Sequence, residues 1–262
     1  MTEIVTLLDA AHAAVAADPE NETLRLRFFE RLADGEMVIL LEREAGGETL
    51  EPRVFDLEDG PVVLVFDREE RLASFSGGIA PYAALPGRVI AGLLRGQGIG
   101  MGVNLGVAPS SMLLPPEAMD WLAETLDGGP EELEALPEEF LAPSVPEAVI
   151  DALDGKLARA GGLAVAALLA GVVYRDGRRG HLLALLDAAE GAEAPLARAM
   201  REALVFSGIE AGELDVVFLT AESPVASAMA RVALRFDLPE PQGQDAAPAA
   251  PGMDPSRPPK LR

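Results

Sequence analysis

Few residues in this sequence could do chemistry, and they rarely stand in the patterns that chemistry requires. Gly96, Gly98, Gly100 and Gly102 alternate through a short segment and invite comparison with a phosphate-binding loop. No register of them completes G-x-G-x-x-G, and the segment follows an expected helix rather than a strand, so the dinucleotide fingerprint fails. A Walker loop needs lysine followed by serine or threonine, whereas the lysines are Lys156, before leucine, and Lys260. We read the glycines as permitting a bent strand and close backbone approach. His12 and His181 fall in different expected domains, without a ligand spacing such as H-E-x-x-H, and are read as structural imidazoles. Ser110 and Ser111 occupy a proline-bounded loop outside any G-x-S-x-G elbow. Cysteine is absent, which removes thiolate nucleophiles, disulfides and cysteine-held zinc together. No catalytic, cofactor-binding or metal-ligating residue is assigned. The polar groups nearest the glycine-rich strand end, Tyr82, Asn104, Ser110 and Ser111, are candidate walls of a small-ligand site, with an amino-acid-like metabolite as the ligand class.

Charge is more informative than motif. Over 262 residues, 43 aspartates and glutamates oppose 21 lysines and arginines, a formal net charge of −22. Such a field repels phosphate backbones and anionic lipid, so neither nucleic acid nor membrane is an expected partner. The acidity is also uneven. No lysine or arginine occurs between Met101 and Asp154, while twelve acidic residues fall between Glu117 and Asp154. Glu131, Glu132, Glu134, Glu138 and Glu139 are the candidate contacts for a basic protein partner; the alternative is a solvated surface that serves solubility alone.

The elements that must position these residues follow from periodicity. Ile4, Leu7, Leu8, Ala11 and Val15 recur at helical spacing, Asp18-Pro19 breaks the pattern, and Leu24, Phe28 and Leu32 define a second helix. The first helix could be mistaken for a secretion signal, but it lacks a basic start and Asp9 interrupts its apolar run. Runs at 37–41, 49–57 and 61–66 are separated by turn-like glycines and read as antiparallel strands. A helical turn at 67–75, a helix starting near Pro86, a strand at 99–106 and a helix containing Met119, Leu122 and Leu126 complete a first domain, residues 1–130. Residues 131–145 read as an acidic, proline-containing connector.

A second domain, residues 146–240, is expected to hold a helix from Pro146 to Ala160 and a hairpin of Leu163–Tyr174 with His181–Leu186. A helix from Pro195 to Phe206, a strand from Leu214 to Thr220 and a helix from Pro224 to Arg235 would follow. The longest apolar stretch, Ala160 to Tyr174, has 15 residues and falls short of the ~20 that a spanning helix needs. Residues 241–262 hold six prolines and no aromatic residue and are expected to be disordered. The fold class is therefore α+β: two small domains, each a short mostly antiparallel or mixed sheet covered by helices. No internal repeat is legible, and no interface for oligomerisation can be read.

The stretches VVLVFDREERLASF and YAALPGRVIAGLLRGQGIGMGVNLGVAPSSMLLPPEAMDWL resemble the amino-terminal domain of the SseB family, the enhanced serine sensitivity proteins of bacteria. The segments RRGHLLALLDAAEG and LDVVFLTAESPVASAMARVALRF are similar to that family's carboxy-terminal domain. Where the family tends to show asparagine-proline-glycine, this chain has Asn104-Leu105-Gly106. The resemblance implies no catalytic residues and links the family to serine tolerance, a phenotype rather than a mechanism. With charge and missing motifs it leads us to expect a non-enzymatic, cytoplasmic interaction or regulatory module; the alternative is a small-metabolite (amino-acid) binding protein or weak enzyme that uses the glycine-rich strand end near Asn104.

Overall fold

The computed structural model describes residues 5–44, 50–127, 136–208 and 214–240. Contacts divide the chain into two units: one ends at Glu131 and also takes Arg201–Glu210, and the other holds the remaining residues. Each is an α+β arrangement of one mixed sheet with helices.

In the first unit, α1 (Leu7–Ala17) begins at a capping box in which Thr6 and Asp9 each bond the other's backbone N–H. α2 (Glu22–Asp34) is capped by the Asn21 side chain. The strands are β1 (Glu36–Leu40), β2 (Val54–Leu57), β3 (Gly60–Phe66), β4 (Tyr82–Pro86), β5 (Gly100–Val103) and β6 (Met112–Leu114). The remaining helices are α3 (Glu69–Ser76), α4 (Gly87–Leu94) and α5 (Pro116–Asp127). The sheet order is β4-β1-β3-β5-β6, with β2 also paired to β3. β1 and β2 run antiparallel to β3, for β2 as its short connection requires, whereas β5 returns parallel to β3 after α3, β4 and α4. Alternation along the strands divides the core. Met37, Ile39, Val63, Val65, Met101 and Val103 pack with residues of α1, α2, α4 and α5, and Val38, Leu40, Val62, Leu64 and Phe66 pack with Leu72 of α3. β4 was not expected from the sequence: its face alternates between half-buried and exposed, which gives an edge strand a weak apolar signal.

The second unit contains β7 (Pro137–Leu141), α6 (Glu147–Leu157), β8 (Ala166–Tyr174), β9 (Arg179–Leu186), α7 (Glu193–Phe206), β10 (Leu214–Leu219), α8 (Pro224–Met229) and β11 (Leu234–Asp237), with the end of α7 counted in the first unit. The expected hairpin is present as β8 and β9, paired from Ala166↔Leu186 to Val173↔Arg179. β10 joins β9 in parallel, and β11 and β7 share the other edge of β8. Two expectations are corrected. The stretch read as a connector contributes β7, because Pro137 opens an edge strand, a place where the missing N–H does no harm. The helix expected to reach Arg235 stops at Met229: Phe236 is buried, Arg235 and Asp237 on either side are not, and 234–237 pair with β8.

Among the described residues, no helix is long and apolar enough to cross a membrane. Glu131, Glu132 and Glu134 and the expected disordered tail lie outside the described residues.

Candidate functional site

β3 and β5 run parallel and end together, at Phe66 and Val103, so the chain leaves the same sheet end as Asp67 and as Asn104. Open sheets with parallel strands bind ligands outside such carboxyl ends. Asn104 adopts φ 48°, a left-handed conformation that asparagine tolerates better than most residues. Its N–H donates to the Val65 carbonyl (2.9 Å), and its Oδ1 accepts from the Asp67 N–H (3.2 Å). Its Nδ2 donates to Ser110 Oγ (2.8 Å). The glycine-rich strand makes this turn possible. A Cβ on Gly102 would lie 2.7 Å from both Leu105 and Leu64 side chains, so the glycine lets Leu105 fold back on the sheet.

From Ser110 the bonding continues to a residue a hundred positions away. Ser110 Oγ donates to Asp9 Oδ1 (2.5 Å) on α1. Arg71 on α3 grips the same carboxylate with both terminal nitrogens, Nη1 to Oδ1 at 3.1 Å and Nη2 to Oδ2 at 2.5 Å. Arg71 Nη1 also donates to Asp67 Oδ1 (2.7 Å), and the Thr6 hydroxyl donates to Asp67 Oδ2 (2.6 Å). The Thr6 N–H completes the Asp9 shell at 2.9 Å. All of this is shielded: the side chains of Asp9, Arg71 and Asp67 are 2%, 8% and 9% exposed, and Asn104 and Ser110 are fully buried.

Burial alone would push the Asp9 carboxyl up. Hydrogen bonds from Arg71, Ser110 and the Thr6 backbone, with the charge of Arg71, outweigh it and hold the group well below the usual carboxylate range. The same balance works on Arg71, where burial disfavours the cation but Asp9 and Asp67 raise its pKa. The cluster is thus two carboxylates and one guanidinium, with the spare oxygens occupied by hydroxyl and amide donors, the condition under which a buried ionic group is tolerated.

The expected ligand walls separate in the structure. Asn104 and Ser110 bond each other inside the cluster and face no solvent. Ser111 is exposed, its Oγ accepting from the Gly106 N–H at 3.2 Å, which closes the 104–111 loop. Tyr82 is on edge strand β4 and partly exposed. Its hydroxyl bonds Glu69 on α3, and that carboxylate raises the phenol's pKa. The glutamates Glu138 and Glu139 are both exposed on β7, where the register with β8 shifts between Pro137 and Glu139. His12 packs edge-on against Phe28, and His181 accepts the Ser144 N–H through Nε2. Thr6, Asp9, Asp67 and Arg71 were missed from sequence. The signals were a carboxylate interrupting the apolar face of α1 and the i,i+4 spacing of Asp67 and Arg71, both commonplace in an acidic chain.

The second unit has polar fittings of its own. The buried Tyr174 hydroxyl donates to Asp215, and Arg178 lies over the Tyr174 ring, 4.4 Å from its centroid. Among the described residues, no group of three or more histidine, aspartate or glutamate side chains is placed to hold a metal ion. No protein-family model matches this sequence, and neither a curated protein nor a solved structure matches it.

Proposed function

We propose that this chain is a non-enzymatic, cytoplasmic interaction or regulatory module of the SseB type that receives a basic protein partner. The observation that carries this reading is the edge of the second sheet. β7 pairs with β8 alone among the described strands, and its register shift leaves the adjacent Glu138 and Glu139 both exposed, where a regular strand would send them to opposite faces. An edge strand bearing two exposed carboxylates suits a partner with positive side chains. In the first unit, Asn104 and Ser110 bond each other and, through Ser110, Asp9, rather than facing solvent.

The test is affinity capture from the native cell with the full chain and with a variant in which Glu131, Glu132, Glu134, Glu138 and Glu139 are replaced by glutamine. The captured partner's affinity is then measured for both proteins. The variant is expected to bind at least roughly tenfold more weakly at low salt, with the difference shrinking as salt rises. Equal affinity for the two proteins would refute the proposal.

A further inference from the structure

Each group that holds Asp9 also has a partner other than Asp9. Ser110 Oγ is fixed by Asn104 Nδ2, Arg71 by Asp67 Oδ1, and Asp67 and Asn104 by the bond between the Asp67 N–H and Asn104 Oδ1. All four residues belong to α3 and to the chain just beyond β3 and β5, far in sequence from α1. What α1 brings is one carboxylate and, from Thr6, one hydroxyl and one N–H. The start of that helix is held mainly by this cluster: of α1 only Leu8 and Asp9 are buried, Val5 and Leu7 just before them are 67% and 72% exposed, and Ala11 and Val15 add partly buried contacts further along.

A preformed guanidinium and hydroxyl at the carboxyl ends of two parallel strands make a receptor for a planar, two-oxygen anion. We propose that Arg71 and Ser110 form a binding site for a small-molecule carboxylate, and that α1 is its internal occupant, with Asp9 standing where the ligand's carboxylate would lie. The Thr6 hydroxyl on Asp67 fills the neighbouring acceptor, so the best ligand also carries a hydrogen-bond donor close to its carboxylate. Binding of such a molecule displaces the first turn of α1, which makes the helix a strap coupled to ligand concentration. This site is independent of the acidic strand edge.

Glycolate, which combines a carboxylate with a hydroxyl, is the probe, and sodium chloride at equal ionic strength is the control. In the full chain carrying Asp9→Gly, glycolate is expected to raise the melting temperature saturably by about 5 °C over chloride, and adding Arg71→Gln should abolish the rise. In the unaltered protein, glycolate should speed amide exchange of residues 7–10 at least about threefold. A folded Asp9→Gly protein that responds to glycolate no more than to chloride overturns the proposal. So does unchanged exchange in the unaltered protein at glycolate levels that saturate the variant. Should Asp9→Gly fail to fold, the exchange experiment decides alone.

Discussion

Among the described strands each unit contains one parallel pair, and the two pairs are closed by the same backbone device with different consequences. After β9, Asp187 turns into the left-handed region at φ 50°, donates its N–H to the Leu219 carbonyl (2.9 Å) and accepts the Ala221 N–H on Oδ1 (3.0 Å). After β5, Asn104 does the same with the Val65 carbonyl and the Asp67 N–H. In both cases one residue clips the end of the neighbouring strand at positions two apart. The difference lies in what the side chain has left over. Asp187 is exposed, and its remaining oxygen can be solvated. Asn104 is buried and neutral, and its spare N–H group reaches Ser110 and through it the Asp9–Arg71 pair. An amide can be enclosed at little cost if its donors are met, whereas an enclosed carboxylate needs a cation, which Arg71 supplies to Asp9 in the first unit.

Removing that cation should break the comparison most severely. Arg71→Ala strands the Asp9 and Asp67 carboxylates without their partner and is expected to cost about 3–5 kcal/mol in urea unfolding. Acid should act next. Because the folded-state pKa of Asp9 lies below its ordinary value of 3.8, the unfolded chain takes up the proton first. The stabilisation is therefore complete above about pH 5 and is lost as the pH falls toward the folded value, with a slope of up to about 1.4 kcal/mol per pH unit. Asp9→Asn, though less stable at neutral pH, should lack that component when unfolding is followed from pH 5 to pH 2.

The smallest effect is also the sharpest test of the shared device. Glycine relieves the positive φ at either position, so Asp187→Gly is expected to change stability by less than about 1 kcal/mol. Asn104→Gly leaves the Asp67 N–H and Ser110 without their partner inside the core and should cost about 1–3 kcal/mol. Equal effects at the two positions, measured by the same urea titration, would mean that the buried amide contributes nothing beyond its backbone shape.

Much of the fold was legible because it rests on local pattern. The helical spacing of Leu8, Ala11 and Val15, the Asp18-Pro19 break and the apolar runs on either side of Arg175–Arg179 all locate real elements. Where the reading failed, a partner elsewhere in the chain decided. Residues 234–237 have too few positions to declare a period and became a strand because the first half of β8 had an open edge. Pro137 looked like a break and is the opening of an edge strand. Of the candidate site, Asn104 and Ser110 were legible as polar groups at a glycine-loosened strand end, but their bond to each other and the link to Asp9 were not, because the partners lie far apart in sequence.

Taken alone, the sequence determined the α+β class, the two-domain layout and the uneven acidity, because composition, turn residues and hydrophobic spacing act over a few neighbours at a time. Tertiary structure alone decided that Asp9 meets Arg71 across 62 positions and Ser110 across 101. A carboxylate and a guanidinium carry no label of their partner along a chain this rich in acids. The choice is made when strand ends, helix starts and a glycine-permitted turn converge and exclude water, since only there is a single pairing worth more than solvation.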